Sequence, residues 1–289
     1  MQEMERYWRT STWSESQLGD SADPEALQYI CNPRVPLWVN KYNARWQKRV
    51  YDSLFGSIPF HARNGTALDV GCGTGRWSRY LKEHGYSATG IDIRDQVIKL
   101  ARNLSPDINY LNQSIETFHT EQPFDLISSV EVIQHFPPEE QAMTIRKLRQ
   151  VLKLGGYAII LEHVRDQGVT FFPKDIQAWQ ATFHSEGFST LKVQRYDYNF
   201  FRSLLEWIWL RVWPKLPMSL RNSEMELQGN SQDPSFFSAI KPVLRLLAQY
   251  MRWIIYSGVI IFDGPLEPIS VSRNLRLPCA QCGFLLKAV

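Results

Sequence analysis

The stretch ALDVGCGTGRW, which runs from Ala67 to Trp77, places three glycines directly after a short apolar segment. A strand that ends in closely spaced glycines and leads into a helix lets a ligand lie against bare backbone. Dinucleotide-binding enzymes use the spacing G-x-G-x-x-G for this purpose. Here the spacing is G-x-G-x-G, which favours a ligand other than a dinucleotide.

Two aspartates narrow the choice of ligand. Asp69 lies two positions before Gly71, where it would repel a pyrophosphate and would suit an ammonium group. Asp92 ends the next apolar segment, TGIDI, 21 residues after Gly71, where a carboxylate can accept both hydroxyls of an adenosine ribose. A ligand that has an amino-acid end, an adenosine end and no phosphate is S-adenosylmethionine.

The sequence from Thr66 to Val164 alternates short apolar segments with amphipathic ones. Such alternation predicts βαβ units and a parallel sheet that is covered by helices on both faces. We expect PEEQAMTIRKLRQVLKLGG to be one helix with a glycine stop and CAQCGFLLKAV to contain the final strand. The other predicted strands are TALDV, SATGIDI, INYLN, FDLISSVEV, YAIILEHV and STLKVQRYDY.

Four motifs in order resemble those of the class I S-adenosylmethionine-dependent methyltransferases. ALDVGCGTGRWSRYLKEHGYSATGIDI is similar to the first two motifs, PFDLISSVEVIQHFPPEE to the fourth-strand motif and LRQVLKLGGYAIILEHV to the fifth-strand region. The resemblance covers about residues 60–165 and the terminal CGFLLKA. It implies an α/β fold with a Rossmann-like seven-stranded mostly parallel sheet, helices on both faces, and an α-helical cap inserted before the last strand.

The resemblance and the composition together predict the domain boundaries. We expect an N-terminal helical lid at 1–58, the cofactor-binding core at 59–198, the cap at 199–275 and the final core strand at 276–289. The cap segment is rich in tryptophan. Three interpretations of this segment stay open: two cap helices packed on each other and on the sheet, an apolar substrate channel or membrane-interface surface, and a homodimer interface.

The resemblance also implies where the cofactor binds. Asp69 would orient the glycine turn and the ammonium group, Asp92 would hold the ribose, and Ile93 would pack on the adenine. The third motif departs from the family pattern, because LNQSIETF has no acid at the position expected near the adenine amino group. The other expected cofactor contacts are Gly71, Cys72, Gly73, Gly75, Gln113, Ser114, Ile115, Val130 and Glu131.

Catalytic residues are expected after the fourth and fifth strands. His135 would act as a general base that accepts the proton of the methyl acceptor, or would serve as a packing residue. Glu162 and His163 would bind substrate or assist the base, or would cap the following loop. Methyl transfer from a sulfonium is an in-line displacement that depends largely on positioning. The remaining predicted substrate contacts are Tyr7, Gln134 and Trp207.

The acceptor is expected to be a small molecule. A formal net charge of +3 without a basic stripe argues against nucleic acid, and SVEV is not the proline-rich tetrapeptide of nucleic-acid amino methylases. The pair Cys279 and Cys282 favours strand packing over a metal or redox site, so no metal is predicted. The absence of a secretory segment predicts a cytoplasmic location.

The predicted reaction moves a methyl group to an oxygen or nitrogen of a bulky or apolar acceptor. Acceptors of the natural-product, lipid-linked sugar and quinone types all fit this expectation. The alternatives are a C-methyltransferase and a non-catalytic scaffold that binds S-adenosylmethionine.

Overall fold

The computed structural model describes residues 37–165, 172–198, 257–258, 261, 264–277 and 279–289. Tyr7 and Trp207, with residues 1–36 of the expected lid and most of the expected cap, lie outside the described residues. The chain divides into two compact units. The first ends at Asp197 and resumes with Arg273–Val289, and the second is Tyr198–Ser272.

The first unit contains a seven-stranded sheet with the order β3-β2-β1-β4-β5-β7-β6. Neighbouring strands are parallel except for β7, which is antiparallel to both β5 and β6. The expected Rossmann-like sheet is therefore confirmed. The strands are β1 (Gly65–Val70), β2 (Tyr86–Asp92), β3 (Asn109–Asn112), β4 (Phe124–Val130), β5 (Leu152–His163), β6 (Phe188–Tyr196) and β7 (Gln281–Ala288).

Helices cover both faces of this sheet. Their apolar residues recur at three- and four-residue spacing and face the strands, as in amphipathic helices in general. The helices described in the first unit are α1 (Leu37–Phe55), α2 (Arg76–Glu83), α3 (Asp95–Leu104), α4 (Pro138–Val151) and α5 (Ile176–Ser185). Short 3-10 helices span Phe60–Ala62 and Ile133–His135.

Helix α1 packs against the sheet, which corrects the prediction that residues up to 58 form a lid. Val50, Tyr51 and Leu54 on this helix are fully buried. A Cβ atom on Gly283 of β7 would lie 2.8 Å from both Leu54 Cδ1 and Val50 Cγ1. The helix therefore rests directly on the strand backbone, and it is a fixed part of the core.

The segment that was expected to end the fourth-strand helix is the start of β5. Helix α4 ends at Val151, and Leu152 pairs with Phe124 of β4. The strand is irregular here, because Gly155 has φ +77° and the register shifts between Phe124 and Leu126. The glycine pair thus shapes a bend within a strand, and it does not terminate the helix.

Aromatic packing fills the opposite face of the sheet. Trp179 stacks on Phe183 along α5, and Phe183 meets Phe284 of β7 edge to face at 5.2 Å between ring centroids. All three side chains are fully buried. Cys282 lies in the same core cluster, which agrees with strand packing as the role of that thiol.

In the second unit the structure describes a helix, α6 (Glu267–Ser272), and Tyr198 beside it. The backbone N–H of Tyr198 donates to Glu267 Oε2 at 3.2 Å, and the Tyr198 hydroxyl donates to the carbonyl of Ser270 at 3.1 Å. Among the described parts of the chain, no helix has the length and hydropathy needed to cross a membrane.

Candidate functional site

The glycine turn connects β1 to α2 and is built from left-handed backbone. Gly71, Gly73 and Gly75 have φ values of 66°, 54° and 82°, which only glycine adopts readily. A Cβ atom on Gly71 would collide with the side chain of Val132, and one on Gly75 would collide with the hydroxyl of Tyr110. The turn therefore needs glycine both for its conformation and for its close packing.

Asp69, near the end of β1, connects this strand to helix α2 beside the glycine turn. Its carboxylate is buried, and Oδ2 accepts a 2.7 Å hydrogen bond from the Ser78 hydroxyl on α2. Burial raises the pKa of Asp69 to about 6, against the hydrogen bonds from Ser78 and Ser128. The carboxylate is thus directed at protein groups of the surrounding elements.

Asp92 lies at the carboxyl end of β2 beside the glycine turn. Its Oδ1 accepts from the backbone N–H and Nε of Arg94 at 2.9 and 3.0 Å. Its Oδ2 accepts from the backbone N–H of Gly73 and from Arg94 Nη2, both at 3.0 Å. All four acceptor positions of the carboxylate are thus occupied, two of them by a guanidinium that sequence reasoning overlooked.

The third-motif residues form a turn next to Asp92. The backbone N–H of Gln113 donates to the carbonyl of Asp92 at 3.1 Å. The Gln113 and Ser114 side chains bond within the turn to Thr117, and Ile115 is buried beneath it. Ile93 is half-buried. The structure brings these predicted adenine contacts to one side of Asp92.

Glu131 follows β4 and faces the same edge of the sheet. It adopts φ +58°, an unusual conformation for a residue with a side chain. Its Oε1 accepts hydrogen bonds from Gln47 Nε2 on α1 at 2.6 Å and from Gln281 Nε2 on β7 at 2.9 Å. Burial raises the pKa of Glu131, while the nearby Arg76 opposes that shift.

Three residues around Glu131 were missed by the sequence reasoning. Arg76 donates through Nη2 to Gln47 Oε1, so α1, α2, β4 and β7 are joined in one polar chain. Gln47 and Gln281 lie 84 and 150 residues from Glu131 in sequence, and no local pattern connects them to it. Arg76 directly follows Gly75 and was visible as a charge at the start of α2.

His163 extends this polar chain. Its Nε2 lies 2.8 Å from Gln281 Nε2 and 3.9 Å from Glu131 Oε1. His135, in the 3-10 helix after β4, is half-buried and lowers the pKa of Glu131 by its charge. The structure thus gathers both predicted histidines around Glu131. Val130 ends β4 just before Glu131 and is half-buried.

Glu162 is fully buried, contrary to its predicted place in the cleft. Its carboxylate accepts from the backbone N–H groups of Val132, Ile133 and Gln134 at 3.3, 2.9 and 3.0 Å. Burial raises the pKa of Glu162 to about 8, although these three donors oppose the shift. Glu162 therefore holds the loop after β4 and contacts protein atoms in place of substrate.

Gln134 is also buried, which corrects its predicted role as a substrate contact. Its Oε1 accepts from the backbone N–H of His163 at 2.6 Å, and its carbonyl accepts from Phe172 at 2.7 Å. The side chain thus ties the loops after β4 and β5 together. It positions the two histidine-bearing segments relative to each other.

Comparison with known proteins finds similarity over part of the chain. Residues 67–156 match the model of a methyltransferase domain. The ubiquinone biosynthesis O-methyltransferase of Nitrosospira multiformis is 34% identical over 110 residues, which are 35% of this chain and 45% of that protein. The enzyme of the same name from Coxiella burnetii is 36% identical over 94 residues, or 31% of this chain and 39% of that protein.

A solved structure agrees on the fold. The magnesium protoporphyrin IX methyltransferase of Synechocystis, solved with bound S-adenosylmethionine, superposes with a TM-score of 0.51 at 17% identity and covers 67% of this chain and 88% of that one. The chain therefore shares its fold with that methyltransferase. It spans less than half the length of the curated relatives cited above.

Proposed function

We propose that this protein is an S-adenosylmethionine-dependent methyltransferase that methylates an oxygen of a small-molecule acceptor. The observation that carries the proposal is the pairing of Asp92 with the Gly73 backbone at 3.0 Å. It places a carboxylate suited to a ribose beside a glycine turn suited to a methionine chain. No phosphate-binding function explains two buried aspartates at this turn.

The residues of the site fit the two ends of that cofactor. Asp92 accepts the ribose hydroxyls, which requires the Arg94 guanidinium to leave, because the two backbone donors are fixed in place. Ile93, Gln113, Ser114 and Ile115 form the adenine side. Glu131 uses Oε1 for both of its amide partners, which leaves Oε2 for an ammonium group.

The bound cofactor supplies an electrophilic methyl group on a sulfonium. The protein must then align the acceptor oxygen with that carbon and remove its proton, and alignment provides much of the rate. His135 lies at the carboxyl edge of β4 and is the residue that we assign as general base. His163 is held by Gln281 near Glu131, where it fixes the electrostatic environment of the methionine end.

The names of the relatives favour a quinone-type acceptor with a phenolic hydroxyl. Both are ubiquinone biosynthesis O-methyltransferases. Residues 67–156, which match the model of a methyltransferase domain, contain the glycine turn, Asp92 and Glu131. Cytoplasmic location, a homodimer and membrane contact by the cap stay predictions of the sequence.

A methyl-release assay over a panel of catechols and other phenols tests the proposal. Wild-type protein should convert S-adenosylmethionine to S-adenosylhomocysteine only when an acceptor is present. His135→Ala should lower turnover by about 100-fold at unchanged cofactor affinity, whereas His119→Ala, on an exposed loop, should not. Cofactor binding without turnover on any acceptor would favour the scaffold alternative, and equal turnover of the two variants would remove His135 as the base.

A further inference from the structure

A cavity lies at the carboxyl edge of the sheet, beyond β5. Its volume is about 650 Å³. It is bounded by the chain after β5, the first turns of α5, the end of β6 and the segment that leads into β7. The side chains that matter for its chemistry are Arg165, Asp175, Arg195 and Arg276.

The cavity gathers positive charge. Three arginines and one aspartate line it, and the aspartate is already engaged, because Asp175 Oδ1 accepts the Ala178 backbone N–H at 2.8 Å as the N-cap of α5. Within the described part of the chain, the side chains of Arg195 and Arg276 form no ion pair and no hydrogen bond. Two guanidinium groups without acceptors among the described residues thus share one cavity.

Such an arrangement is suited to an anion. Each guanidinium carries a planar fork of donors that matches a carboxylate or a phosphate. A cavity in which one sign of charge predominates also concentrates counter-ions. We propose that this cavity binds the anionic group, a carboxylate or a phosphate, of the methyl acceptor.

The position of the cavity fits an acceptor, and this part of the inference rests on the proposed function. The cofactor residues lie at the ends of β1, β2, β3 and β4 or directly after them, whereas the cavity begins at Val164, directly after β5. Strand β5 is the neighbour of β4 in the sheet. An acceptor anchored here by its anionic group can extend its hydroxyl toward His135 and the methyl group.

The arginines can be tested without damage to the fold. Because the side chains of Arg195 and Arg276 form no hydrogen bond or ion pair with a described residue, replacing both by glutamine removes charge and breaks no such bond. Arg45→Gln with Arg273→Gln is the matched control, since both arginines are exposed, make no ion pair with described residues and lie outside the cavity.

The experiment is arginine labelling by phenylglyoxal at constant ionic strength, read by peptide mass spectrometry. Inorganic phosphate and benzoate serve as separate probes. At a probe concentration about ten times its dissociation constant, labelling of Arg195 and Arg276 should slow by about tenfold, since only the unoccupied fraction reacts. Arg45 and Arg273 should label at an unchanged rate.

The two probes also separate the chemical sources. Stronger protection by phosphate assigns a phosphorylated acceptor, and stronger protection by benzoate assigns a carboxylate. Calorimetry should show heat of binding for the more protective probe with wild-type protein and the control variant, and none with Arg195→Gln, Arg276→Gln. Uniform or absent protection, or equal heat from all three proteins, would overturn the anion site. The binding of S-adenosylhomocysteine, measured alongside, tests the proposed function independently.

Discussion

The buried carboxyl of Glu162 makes a prediction about how stability depends on pH. Its pKa is raised from 4.5 to about 8 by burial. A carboxyl with a raised pKa in the folded state contributes its full stability below its unfolded pKa. That contribution is lost as the pH rises toward 8, because the folded protein must then bury a charge.

The size of the effect follows from the shift. Between pH 5.5 and 7.5 the folded protein holds about one proton more at Glu162 than the unfolded chain does, and each pH unit is worth about 1.4 kcal/mol. Glu162→Gln cannot ionise, and it weakens the contacts to the three backbone N–H groups at every pH. The free energy of unfolding of wild-type protein minus that of the variant should therefore fall by about 3 kcal/mol from pH 5.5 to pH 7.5.

Urea unfolding followed by tryptophan fluorescence at pH 5.5, 6.5 and 7.5 measures this difference. Asp69, whose pKa is raised to about 6, is present in both proteins and cancels. Glu121→Gln, in an exposed loop, is the control and should differ from wild type by a constant amount. If this difference stayed constant or rose with pH for Glu162→Gln, the reasoning would be refuted, because the three N–H donors would then outweigh burial in setting the pKa of Glu162.

Three further predictions concern the cofactor site. Gly75→Ala should lower the free energy of unfolding by about 1–3 kcal/mol in a urea titration, because of its φ of 82° and the collision with Tyr110; an unchanged midpoint would contradict this. Arg94→Ala should bind S-adenosylhomocysteine several-fold more tightly, since Asp92 is then open; weaker binding in calorimetry would show that the guanidinium instead assists the cofactor. Glu131→Gln should weaken the binding of S-adenosylhomocysteine about tenfold and hardly change the binding of adenosine. Equal losses of affinity for the two ligands would show that Glu131 does not contact the ammonium group.

The sequence was sufficient for features that are local along the chain. The glycine turn and Asp92 were identified because a parallel sheet places them together at its carboxyl edge. Helix α1 was assigned to a lid because its packing partner, Gly283, lies in the last strand, and only tertiary contact shows the fit.

The side-chain directions at the site were less accessible. Glu162 and His163 are neighbours at the end of β5, so alternation sends them to opposite sides of the strand. The three backbone N–H groups after β4 need an acceptor, and Glu162 supplies it. His163 therefore lies on the side of the strand that faces Gln281 and Glu131. The amides of Gln47 and Gln281 converge on Glu131 only after the sheet has formed, so no local motif announced them.

Calorimetric titration with S-adenosylhomocysteine tests the central claim most directly. Wild-type protein should bind, and Asp92→Ala should bind about 100-fold more weakly, because two hydrogen bonds to a charged carboxylate are lost. Asp95→Ala is the matched control, since Asp95 lies three residues along the chain and, among the described residues, forms an ion pair with the exposed Lys99 alone. Undiminished binding by a folded Asp92→Ala protein, or no binding by wild type, would contradict the account.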